Sequence, residues 1–199
     1  MTVSIFADAF ESTASFFKSL PDIAEQAMGT AINQVADRDG LALLKRDMRE
    51  QVDFPPGYLE NEKHGLKVVR RAGKGSLEAV IRGRDRATSL ARFARGQNRD
   101  NTQGRGVRIT VRGGRTQTLK KAFLVTLRNG NTGLAIRLKD GESPKFTQGA
   151  VKLANNVYLL YGPSVDQVFR GVAEDRAGDL SNMVTKQFFR QFDRITNGK

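Results

Sequence analysis

The chain has 199 residues, no cysteine, no tryptophan and one histidine, and carries a formal net charge of +12. Those counts exclude a disulfide framework, a thiolate nucleophile and a thiolate metal site, and a zinc site would have only His64 and carboxylates to draw on. The charge is segregated, with a balance of −6 over residues 1–62, +16 over 65–139 and +1 over 140–199, which points to a polyanionic partner or to docking of one subunit's acidic part on another's basic part.

In chain order, "MTVSIFADAFESTASFF" lacks a basic n-region and carries Asp8 and Glu11, so it does not read as a signal peptide. No apolar run is long enough to cross a bilayer, so the expected product is made in the cytosol and binds no membrane. Ile5, Phe6, Phe10, Phe16 and Phe17 give a weak helical pattern. Asp22 then suits a helix cap, and Ile23, Ala27, Ala31 and Val35, with Met28 and Ile32 beside them, form one stripe of an amphipathic helix. Gly40 weakens this helix without necessarily ending it; Leu41, Leu44 and Met48 carry a stripe onward to Pro55-Pro56-Gly57.

From residue 65 the period changes to two. "LKVVRRA" and "SLEAVIRGR" read as strands, the second with Leu77, Ala79 and Ile81 alternating with Glu78, Val80 and Arg82. "VRITVRG" places Val107, Ile109 and Val111 on one face and Arg108, Thr110 and Arg112 on the other. "KAFLVTL" and "GLAIRL" flank Asn129-Gly130-Asn131-Thr132-Gly133, a hairpin turn signal. Residues 84–106 read as a long arginine-rich loop. The expected sheet is antiparallel, with one face on the core and one basic and wet.

Beyond it, "LLYGPSVDQVF" ends a strand and starts a helix. Ser164 and Gln167 have capping-box spacing, and Pro163 stands before the cap, in reach of Val168. Val165, Val168, Phe169, Val172 and Ala173 trace one helical face; Leu180, Met183, Val184, Phe188, Phe192 and Ile195 resume it on a drifted line, which predicts a bend near residue 178. The fold class expected is α+β: a central antiparallel sheet with N-terminal and C-terminal helices packed on it. Its parts are an acidic helical arm over 1–62, a basic sheet region over 63–160 and C-terminal helices over 161–199, in one structural domain overall.

Motifs for chemistry fail. "GKGS" at 73–76 has valine at 68 and glycine at 75 where a phosphate loop needs glycine and Ser or Thr, so it reads as a turn between strands. His64 has no cysteine to activate and reads as a turn residue. Helical spacing scatters Asp37 and Asp39, and Glu174, Asp175 and Asp179, over different faces, and the single "RGG" at 112–114 matters only in arrays. No catalytic, cofactor-binding or metal-binding residue is assigned. What survives is a basic surface of Arg82, Arg84, Arg86, Arg92, Arg95, Arg99, Arg105, Arg108 and Arg112, suited to phosphate contact or to an acidic neighbouring subunit. Phe93 is the only aromatic between Tyr58 and Phe123, which argues against base stacking.

Five stretches carry a resemblance. "LLYGPSVDQVF" with "TKQFFRQFDRI", "LEAVIRGRDRATSLARF" over 77–93, "KKAFLVTLRNGNTGLAIRL" over 120–138 and "AMGTAINQVADRDG" are similar to the tailed-phage minor tail protein Z family, the tail completion proteins. The resemblance covers most of the chain from about residue 22, but not residues 1–20 or 96–118. It implies a virion protein and not an enzyme, made in the host cytoplasm and placed at the neck. There it would complete the head-proximal end of the tail as a subunit of a homohexameric ring. It also implies tail-terminator, tail-tube or head-connector proteins as neighbours, and double-stranded DNA in the channel as a further contact. Gly162, Pro163, Ser164 and Gln167 then serve as a structural corner. The alternative kept beside it is a sequence-independent nucleic-acid-binding protein.

Overall fold

In a computed structural model, residues 22–94, 96, 106–144 and 149–197 are described. The fold is α+β. The chain's contacts gather into two units: one of residues up to 48, 60–83 and from 169 onward, the other of residues 49–59 and 84–168.

The first unit is built on helices. Helix α1, Asp22–Asp37, and α2, Asp39–Gln51, follow one another with a break at Arg38. Helices α3, Val165–Asp175, and α4, Ala177–Asn197, do the same with a break at Arg176. The interruption expected near 178 is a single-residue break at Arg176. At both breaks the amide ladder continues: Arg38 donates to the Gln34 carbonyl at 3.1 Å and Arg176 to that of Val172 at 3.0 Å. The α1 stripe is buried as expected except for Ile23, which is exposed in the first turn. Gln191 donates to Gln34, Leu180 lies beside Gly40, and Arg176 reaches Asp47, so numbers fall along one helical pair as they rise along the other and the two run antiparallel.

Gly40 is required there by space. A Cβ would stand 2.7 Å from the Val35 carbonyl oxygen and 2.9 Å from Leu180 Cδ2. Gly40→Ala is therefore expected to lower stability by about 1–2 kcal/mol, the overpacking strain exceeding the gain in helix propensity. A urea titration of both proteins measures it.

The unit also holds β1, Lys67–Arg70, paired antiparallel with β2, Val80–Arg82. The "GKGS" turn joins them, Gly73 and Ser76 exchanging amide bonds at 2.9 and 3.0 Å with Gly75 at φ +78°. Glu25 accepts from the Gly75 amide, Asn33 exchanges bonds with the Ala72 backbone, and Arg71 pairs with Asp37, which fasten this hairpin to α1. The alternation expected in "SLEAVIRGR" does not hold. Ala79, Val80 and Ile81 are all buried, β2 is three residues long, and a bulge interrupts the pairing between Val68 and Arg70.

The second unit holds the main sheet, antiparallel throughout. Its central strand is β9, Val157–Gly162. Leu159 pairs with both Ala135 and Val151, so β7, Thr132–Arg137, and β8, Ala150–Lys152, take opposite edges of β9. Strand β6, Ala122–Thr126, continues past β7 through the predicted hairpin, closed by Leu127 donating to Asn131 with Gly130 at φ +76°.

Residues 84–93, expected within the long loop, are ordered by the sheet. Thr88–Ser89 form β3 on Gly162 and Tyr161, and Leu90–Phe93 form a 3-10 turn whose i, i+3 residues Leu90 and Phe93 are buried. Gly162 fits beside them because it has no side chain: a Cβ would lie 2.9 Å from Leu90 Cδ2. Strand β4, Val107–Arg112, alternates as predicted from Val107 to Thr110, and pairs with β5, Arg115–Leu119, across Gly113-Gly114; a bulge between Thr110 and Arg112 ends the predicted alternation before Arg112. The "RGG" triplet therefore supplies a turn: Gly114 sits at φ +72°, and a Cβ on Gly113 would be 2.7 Å from the Glu50 carbonyl.

At the end of β9 the Ser164 hydroxyl accepts from the Gln167 amide at 3.0 Å, the first limb of the capping box. The Asp166 amide donates to the Arg84 carbonyl at 3.1 Å, tying the corner to the start of the arginine-bearing segment. Ser164→Ala is expected to cost about 1 kcal/mol, read as a lower thermal midpoint.

Candidate basic interface

The nine arginines of the predicted surface fall into separate places. Arg95, Arg99 and Arg105 lie outside the described residues. Arg82 is exposed on β2, in the first unit. Arg84, Arg86, Arg92, Arg108 and Arg112 belong to the second unit, and there they form two groups.

The first group centres on Tyr58. Its ring stacks on Phe54 at 5.7 Å, and Phe54 meets Phe93 at 6.1 Å. Arg84 donates to the Tyr58 hydroxyl at 3.3 Å, and the Arg92 guanidinium lies 5.2 Å from the ring centroid, within cation–π range. Tyr58 and Phe93 are both buried, at 5% and 1% exposure, so these rings pack the interior and cannot stack on bases. Arg86 is exposed nearby in sequence.

The second group is the β4–β5 hairpin. Arg108 and Thr110 occupy one face; a bulge between Thr110 and Arg112 shifts the register, so Arg112 does not continue that face, and the partners of Thr110 and Arg112 are Thr116 and Arg115. The Thr110 and Thr116 hydroxyls bond each other at 3.0 Å. Arg112 and Arg115 stand directly opposite across the strands. Like charges in that position repel. Neither head has an acidic partner among the described residues. Arg115 was not singled out in the sequence; its signal would have been the Gly-Gly turn, which folds it back on Arg112.

The opposite hairpin face carries Ile109, Gln117 and Leu119 and, with Val111, Arg112 and Arg115 at the turn end, borders an open cleft of about 1030 Å³ that Gly162, Pro163 and Gln167 of the corner also line. The sequence-predicted corner and the sequence-predicted basic strand thus share one cavity.

No family model, curated protein or solved structure matches the chain. The surface must be judged on its own chemistry.

His64 sits half-buried in a turn, its amide donating to the Asn61 carbonyl at 3.2 Å. Of the acids weighed as ligands, Asp37 is held by Arg71 and Asp179 by Arg176. Among the described residues no three acidic or histidine side chains are grouped to hold a metal, and no helix is long and apolar enough to cross a membrane. Asp47, in the first unit, is a buried carboxylate with a displaced titration, and its partners are arginines.

Proposed function

We propose that this protein is a structural component of a phage virion. It completes the head-proximal end of the tail, as a subunit of a homohexameric ring in the head–tail connection around the DNA channel. The observation that carries the reading is the opposed Arg112 and Arg115 on an exposed hairpin, in a chain whose first 62 residues are net acidic. A surface of this kind fits an acidic patch on the next copy, and a head-to-tail contact of unlike patches closes into a ring by rotation. The five stretches similar to tail completion proteins supply the location, and tail-terminator, tail-tube or head-connector proteins are the neighbours it implies. Chemistry by this chain forms no part of the reading.

Location is tested by a reconstruction of the virion in which this chain is sought at the neck, with its symmetry. Finding the chain outside mature particles sinks the reading. Self-assembly is tested by mass measurement of the wild type and of Arg112→Glu/Arg115→Glu. The wild type is expected as multimers, and the reversed pair is expected to shift the assembly midpoint at least tenfold to higher concentration.

The second reading, sequence-independent binding of nucleic acid, is favoured by Arg108, which is exposed on the same hairpin as Arg112 and Arg115. It predicts a monomer whose affinity for duplex falls steeply with salt. In that case reversal of the two arginines lowers the logarithmic salt slope by about 2, one contact at about 0.9 for each.

A further inference from the structure

We propose that the cleft under the β4–β5 hairpin receives the phenylalanine-rich segment 5–17 of a neighbouring copy. The inference rests on the self-assembly part of the reading above and names the contact that would hold two subunits together.

The cleft is lined by apolar side chains and by two cations. Val52, Ile109, Leu119 and Val168 line it, and Arg112 and Arg115 stand at the hairpin tip beside it. At about 1030 Å³ it lies just above the roughly 300–1,000 Å³ usual for small-ligand pockets, and it is an open trough, a form suited to a peptide. The two guanidiniums repel one another across the strands and have no acidic partner among the described residues. An occupant with apolar side chains and flanking carboxylates relieves both conditions.

The chain itself contains such an occupant. Residues 5–17, "IFADAFESTASFF", hold four phenylalanines, two acids and no base, and they lie outside the described residues. Phe6 and Phe10 are four positions apart in the sequence, with Asp8 between them and Glu11 directly after. Aromatic anchors in a pocket with charges paired at its rim are the usual composition of a strong contact.

The absence of cysteine makes the test clean. Full-length Ser12→Cys and full-length Gln117→Cys are prepared separately, mixed and oxidised; Ser12 lies beside Glu11, and Gln117 is exposed on the cleft-lining face. A disulfide-linked dimer is expected at least tenfold above that from Ser12→Cys mixed with Lys186→Cys, an exposed position on α4. Adding Phe6→Ala/Phe10→Ala to the first chain, or Arg112→Glu/Arg115→Glu to the second, is expected to cut the yield about tenfold. Equal linkage to both positions overturns the proposal. So does linkage confined within single chains of a Ser12→Cys/Gln117→Cys protein. Wild-type multimers without the specific link sink this inference and leave the ring reading standing; a wild-type monomer without the link sinks both.

Discussion

Phe93→Ala is expected to destabilise the protein by about 3–5 kcal/mol, the range for emptying a fully buried aromatic site. Phe93 is 1% exposed, meets the Phe54 ring at 6.1 Å, and lies close enough to Gly162 that a Cβ there would be 3.6 Å from its ring. It therefore joins three things: the 3-10 turn, the end of β9, and the 54–58 segment carrying Tyr58. Its loss leaves the stack under Arg84 and Arg92 without a floor. Against a total stability of about 5–15 kcal/mol for a typical domain, this removes a large share. Urea unfolding followed by circular dichroism reads the shift, and Phe93→Leu, which keeps most of the apolar volume, is expected to recover more than half of it. A near-neutral Phe93→Ala would show that the site collapses without cost.

Asp47→Ala is expected to cost about 2 kcal/mol. Its carboxylate is buried and accepts from Arg176 and from Arg46, with Arg176 also bonded to Asp179. Both guanidiniums remain partly in water, so the cost falls below the 3–5 kcal/mol of a broken pair buried on both sides. Burial pushes the Asp47 carboxyl up, but the hydrogen bonds and positive charge of Arg176 and Arg46 outweigh it and hold the group below its ordinary 3.8. A carboxyl depressed in the folded state contributes stability that is complete above its unfolded value. That contribution is lost as pH falls through the folded one. The difference between wild type and Asp47→Asn is therefore expected to be constant from pH 7 to about 5 and to shrink below pH 4. A difference that widens in acid would reverse the sign and the explanation.

Much of this fold was legible because local chemistry and tertiary demand agree. The Asn129–Gly133 turn, the alternation of β4 as far as Thr110, the Ser164 cap and the stripes of α1, α3 and α4 each need only a few neighbouring residues to be read. The failures share a physical cause. Strand β5, "RTQTL", has a single buried residue and no apolar rhythm, and only the Gly-Gly turn and its partner β4 make it a strand. Val80 is buried where alternation would expose it, since a three-residue strand beside a bulge does not keep a two-residue period. Gly40 and Gly162 are demanded by neighbours, Leu180 and Leu90, that are distant in sequence. Asp47 finds Arg176 across 129 positions, a pairing that no spacing rule reaches. The candidate interface was visible as a list of arginines, but their division into a tyrosine-centred group and a hairpin pair was set by strand register.

The helical unit draws on three separate stretches, and its last is the C-terminal one. Gln34 waits for Gln191, 157 positions later. During synthesis, at roughly 5–20 residues per second, the apolar stripe of α1 leaves the ribosome long before the helix that covers it exists. The nascent chain therefore carries a bare greasy ridge for on the order of ten seconds, and shortening the protein from its end would make that exposure permanent.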